Sequence, residues 1–196
     1  MIYTSTIASG SLRLRETRIV AGLLLQEVSG DDWSQAIRED NIFQLGLPSS
    51  NWQLANLIRR RLVGFGPELW EMIRDGDPSL ASQAAMAGAI RDSRLLGDFM
   101  DLVIREQRAT FATHLSPLLW NEYIQSCRMR DPQMPEWGEA TVRRLRSAVF
   151  RILEEGGFIE DTRRLRLQGV FIDASLSDYL RQVDAKYVLR CLEVME

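Results

Sequence analysis

A chain of 196 residues, 45% hydrophobic and 26% charged, has the composition of a folded globular protein and is long enough for one large or two small domains. Its net charge of −3 excludes a uniformly basic nucleic-acid coat, and its longest apolar run, residues 19–25, is far shorter than the roughly 20 residues of a membrane-spanning helix. The Ser/Thr-rich start has neither a basic nor a long apolar region, which excludes a secretory signal and leads us to expect a cytoplasmic protein.

Helical patterns fill most of the chain. Residues 12–28 gather Leu12, Ile19, Val20, Leu23 and Leu24 on one helical face, and Ser29-Gly30-Asp31-Asp32 ends the pattern. A short helix is expected at 33–40, then a connector through Gly46-Leu47-Pro48. The next helix is expected to open with a capping box, Ser50-Asn51-Trp52-Gln53. Asp77-Pro78 and Ser116-Pro117 each place a capping side chain before a proline, as at a helix start. The first of these stretches should break near Asp92-Ser93 and resume through Phe111, burying Leu95, Leu96, Phe99, Leu102 and Val103. The second should stop before Asp131-Pro132.

A long helix follows at 139–155, with Val142, Leu145, Val149, Ile152 and Leu153 as its stripe and Gly156-Gly157 as its stop. Beyond it, Phe158-Ile159-Glu160 and Leu165-Arg166-Leu167 alternate like short strands around Asp161-Thr162-Arg163, which predicts a β-wing. Ser175-Leu176-Ser177-Asp178 reads as a further capping box, opening a final segment with a break at Asp184. The expected fold is all-α: two helical subdomains, residues 1–76 and 77–196, each with a helix-turn-helix-like unit, the second of these being a winged unit that spans about 116–172.

The inventory argues against an enzyme. His114 is the single histidine and Lys186 the single lysine, and no phosphate-binding glycine loop is present. No cofactor or metal is expected. Asp184-Ala185-Lys186 matches the acidic-x-Lys ending of many nucleases only superficially, because it lies in a helical segment. Cys127 and Cys191 stand apart and are expected as buried thiols.

Two basic regions point instead to nucleic acid. In the helix from Ser50 to Val63, Asn51, Asn56, Arg59 and Arg60 lie largely off the face formed by Leu54, Leu57, Ile58 and Leu62, placed for base edges or phosphates in a helix-turn-helix. The alternative is that Arg59-Arg60-Arg61 only solvates a helix end or pairs with acids. From Thr141 to Val170, seven arginines against four acids give +3. Arg143, Arg144 and Arg146 sit early in the long helix and Arg163, Arg164 and Arg166 on the wing, an arrangement that would bracket a phosphodiester backbone. Pairing with Glu154, Glu155, Glu160 and Asp161 is the competing outcome.

Several dispersed blocks carry a family likeness: Arg18-Ile19-Val20-Ala21, Leu57-Ile58-Arg59-Arg60-Arg61-Leu62, Ser93-Arg94-Leu95-Leu96-Gly97-Asp98-Phe99, Leu115-Ser116-Pro117 with Trp120, Phe150-Arg151-Ile152-Leu153, and Tyr187-Val188-Leu189-Arg190-Cys191. Together they resemble the BrxA family of the BREX bacteriophage-exclusion systems. The resemblance implies a small, non-enzymatic, mostly helical protein, comparable to NusB-like antitermination factors, that binds DNA and works beside the other BREX proteins; with the basic regions above, we expect the partner to be double-stranded DNA. An inner-membrane label has also been given to the family, and this sequence, without a spanning segment, departs from it. Docking onto other defence proteins through the same basic surfaces is the second expectation, and RNA binding the third.

Overall fold

In the computed structural model, which describes residues 3–195, a strap of residues 3–13 with a 3-10 turn at Thr6–Ser9 precedes the first α-helix. Helix α1 (Leu14–Leu25) buries Val20, Ala21, Leu23 and Leu24. Helix α2 (Gly30–Ser34) runs into a π-helical turn (Gln35–Glu39). Helices α3 (Pro48–Leu62), α4 (Pro67–Asp75) and α5 (Pro78–Asp92) each begin on proline, whose missing N–H is harmless in a first turn. Asp77 caps α5, its carboxylate accepting from the N–H groups of Ser79 (2.7 Å) and Leu80 (3.1 Å).

Helix α5 is the axis of the molecule. Gln83 through Ile90 are all buried, as befits a helix enclosed on every side, and it packs against α1, α3, α4 and α11. Its small residues permit this: a methyl group on Gly88 would lie 3.1 Å from the Arg61 carbonyl oxygen. After the break at Ser93, α6 (Arg94–Asp98), a π-helical stretch (Phe99–Ile104) and α7 (Arg105–Ala109) follow without interruption. Helices α8 (Leu118–Arg130) and α9 (Glu139–Glu155) meet that stretch through aromatic rings, Phe99 lying 5.3 Å from Trp120, 5.2 Å from Tyr123 and 6.0 Å from Phe150. Helices α10 (Ala174–Gln182) and α11 (Lys186–Leu192), parted at Asp184, close the chain with a 3-10 turn (Glu193–Met195). The fold is all-α, and its buried apolar residues join in one cluster from Tyr3 to Val194.

Four expectations are corrected. The wing does not form: among the described residues no strand appears, and the segment keeps only two isolated antiparallel bridges, Ile159 to Leu167 and His114 to Arg166. Asp161 draws the N–H groups of Arg163 and Arg164 into a tight turn (2.7 and 2.6 Å), and Leu165 takes a left-handed φ of 54° that ends any extended run. Helix α3 starts at Pro48, so Ser50 is no cap; its N–H donates to the Leu47 carbonyl at 3.0 Å. Asp173 caps α10, accepting from the Ser175 N–H at 2.8 Å, in place of the Ser175 box. Leu102 is 43% exposed because the π-helical stretch turns Met100 and Asp101 inward instead.

Both cysteines are buried free thiols. Burial raises the thiol of Cys127 and pushes that of Cys191, which donates to the Gly97 carbonyl, up to about 12. A neutral buried thiol is a poor nucleophile. An aromatic disulfide reagent at mildly alkaline pH should therefore titrate neither thiol in the folded protein and both after denaturation; rapid reaction of either in the native state would contradict the packing.

Candidate nucleic-acid interface

Helix α9 has two faces. Leu145, Val149, Ile152 and Leu153 are buried, so Arg143, Arg144, Ser147 and Arg151 fall by helical periodicity on the outer side. The strap packs along this helix. Together they line an open groove of about 560 Å³, with Gly10, Ser11 and Arg13 from the strap and the three arginines and Ser147 from α9.

The strap is held in place by bonds to distant parts of the chain. The Tyr3 hydroxyl donates to Asp98 at 2.7 Å and the Tyr3 N–H to Asp131 at 3.2 Å. At its other end the Leu12 N–H donates to the Glu155 carboxylate, and the Arg61 guanidinium donates to the Ser11 carbonyl at 2.8 Å. Gly10 allows this approach, since a methyl group there would meet Leu57 Cδ2 at 2.7 Å. Arg61 is 4% exposed, and burial lowers its guanidinium to about 10; it is an internal brace of the strap, closed to a ligand.

Arg13 precedes α1 in the left-handed conformation, φ 50° and ψ 54°, which non-glycine residues seldom adopt. It also lines a second groove, of about 620 Å³, with Ser50, Gln53 and Leu54 of α3. The α9 groove thus leads past Arg13 toward the start of α3. Arg13 and Arg144 are exposed and have no carboxylate partner among the described residues. Arg143 meets Glu139 at 3.3 Å with both groups well exposed, a weak, salt-screened pair. Arg151 meets Glu154 at 2.9 Å.

The other sequence candidates separate. Asn51 is 1% exposed, and its amide donates to Asn41 Oδ1 at 2.6 Å, which ties the first turn of α3 to the connector before it. Asn56 is half-buried. Arg59 lies over the Trp33 ring at 4.8 Å, and Arg60 forms a two-bonded pair with Asp92 at 2.6 and 2.8 Å. Of the Arg59-Arg60-Arg61 run, only Arg60 is paired with an acid among the described residues. Arg146 lines a neighbouring groove with Arg128 and Trp137. Arg164 pairs with Glu160 at 3.3 Å, Arg163 is exposed beside it, and Arg166 lines a separate groove with Arg105 and Arg108. Arg143 and Arg144 are therefore joined by Arg13 and Arg151, neither of which was singled out as a candidate. Arg151 was findable from its helical spacing to Arg143 and Ser147; Arg13 was not, because only long-range contacts place the strap. His114 is exposed and bonds to the Thr113 hydroxyl at 2.8 Å. Among the described residues no cluster of three His, Cys, Asp or Glu side chains is arranged for a metal, and no helix is long and apolar enough to cross a membrane.

The BrxA family model matches residues 1–184. A BREX protein BrxA of Paramagnetospirillum magneticum is 45% identical over 192 residues, which is 98% of this chain and 96% of that protein. A BREX protein BrxA of Escherichia coli O9:H4 is 25% identical over 97% of this chain and 90% of its own. The crystal structure of an uncharacterized protein from Magnetospirillum magneticum is 44% identical and superposes with a TM-score of 0.93, covering 99% of this chain and 100% of its own.

Proposed function

This chain belongs to the BrxA family, and from that premise we propose that it serves BREX phage defence as a non-catalytic protein that binds double-stranded DNA alongside other BREX proteins. The observation that carries the DNA assignment is the groove in which Arg13, Arg143, Arg144 and Arg151 converge. Guanidinium groups form strong charge-assisted bonds with phosphate oxygens, and the Ser11 hydroxyl beside them is a further donor of the kind that contacts phosphate.

The groove's lining favours a duplex over a single strand. Single-stranded binders stack bases on aromatic rings, and among the described residues no ring lines this groove. Phosphate contacts of this kind hold DNA without reading its sequence. With about four phosphates neutralised, log K against log salt should slope near −3.6.

Fluorescence-anisotropy titrations with duplex DNA, single-stranded DNA and RNA of matched length, at several salt concentrations, test the proposal. The expected result is tightest binding to the duplex, indifferent to its sequence, with that slope. Equal, salt-independent affinity for all three polymers would contradict it.

A further inference from the structure

Helix α7 ends in an unusual way. Phe111 closes it in the left-handed conformation, φ 57°, with its N–H donating to the Arg108 carbonyl and the Ala112 N–H to the Gln107 carbonyl, both at 2.9 Å. Glycine is the usual residue at such a helix end because it lacks the Cβ that clashes there. Phe111 meets that steric cost and, at 90% exposed, regains none of it by burying its ring. A residue strained and left in solvent, without return inside its own chain, points to a use outside it.

The ring stands at a groove of about 490 Å³ whose lining includes Arg105, Arg108, Arg166, Leu167 and Val194. Arg105 is already engaged by Asp101 at 3.2 Å. Arg108 and Arg166 have no carboxylate partner among the described residues. Ala109 and Phe111 supply exposed apolar surface beside these two cations, over the buried Leu167 and Val194. Exposed aromatic rings and arginines are the side chains that dominate protein interfaces.

We propose that this groove docks an acidic segment of a partner protein, with carboxylates on Arg108 and Arg166 and an apolar side chain against Phe111. Charge complementarity selects the occupant. Two guanidinium groups suit a short acidic stretch, whereas a nucleic-acid strand calls for a longer rail of cations and successive stacking rings. The site does not depend on DNA binding along α9.

The test uses the full chain and three labelled probes: a peptide alternating aspartate pairs with single leucines or phenylalanines, a charge-matched peptide of aspartate and glycine, and oligothymidine. The wild type should prefer the first. Phe111→Gly should weaken that binding about tenfold and abolish the preference over the glycine control, while its Tm is no lower than that of the wild type because the strain is relieved. Arg108→Ala with Arg166→Ala should weaken both peptides by tenfold or more, and duplex binding should persist in all variants. The proposal is overturned if the wild type fails to bind the apolar acidic peptide at millimolar concentration, or if binding survives both sets of substitutions. Tighter binding of oligothymidine, lost in the same variants, would overturn it in favour of a base-stacking site.

Discussion

Asp98→Ala should lower the unfolding free energy by about 3 kcal/mol and the Tm by about 6–12 °C, one of the two largest effects expected of any substitution considered. The Asp98 side chain is 8% exposed and collects the Tyr3 hydroxyl (2.7 Å), the Tyr187 hydroxyl (2.7 Å) and the Arg94 guanidinium (2.8 Å). Alanine would strand two hydroxyls that are otherwise bonded to a charge, and hydrogen bonds to charged groups are the stronger class. Gly97 has to be glycine for the cluster to close, since a methyl group there would lie 2.3 Å from the Tyr187 hydroxyl. Asp98→Asn keeps an acceptor and should cost roughly half as much. The same substitution loosens the strap at Tyr3, so duplex affinity should fall along with stability. Urea unfolding read by tryptophan fluorescence measures the loss; a change under about 0.5 kcal/mol, the range of ordinary surface substitutions, would show that the cluster does not hold the strap.

How far the sequence anticipated this molecule depends on the range of the forces involved. Helix α9 was legible from end to end, because the stripe from Val142 to Leu153 and the Gly156-Gly157 stop are local signals. The breaks at Ser93 and Asp184 were legible for the same reason. The π-helical stretch was not: its hydrogen-bond shift exposes Leu102 and buries Met100 through packing that residue spacing does not encode. The wing failed on one left-handed residue, Leu165, and on an aspartate that bonded to the backbone.

Candidate residues divided along the same line. Arg143 and Arg144 were identifiable because they sit off a helical stripe. Arg59, Arg60 and Arg61 looked alike in the sequence, yet Trp33, Asp92 and the Ser11 carbonyl, each distant in the chain, give them three different fates. Arg13 became part of the groove only because Arg61, Glu155 and Asp98 fix the strap against α9.

The other large effect is on DNA binding, and it tests the central assignment most directly. The triple variant Arg13→Asn, Arg143→Ala and Arg144→Ala removes three of the four groove guanidinium groups, with asparagine chosen at 13 because it tolerates left-handed backbone. Exposed substitutions of this kind should each change stability by no more than about 0.5 kcal/mol. At about 1 kcal/mol per lost phosphate contact, duplex affinity should fall roughly 100-fold, equally for unrelated sequences. The measurement is the salt dependence of duplex binding in the wild type and in this variant. The slope should flatten from near −3.6 to about −0.9 while the variant stays folded. An unchanged slope and affinity in a folded triple variant would contradict the assignment of this groove to DNA.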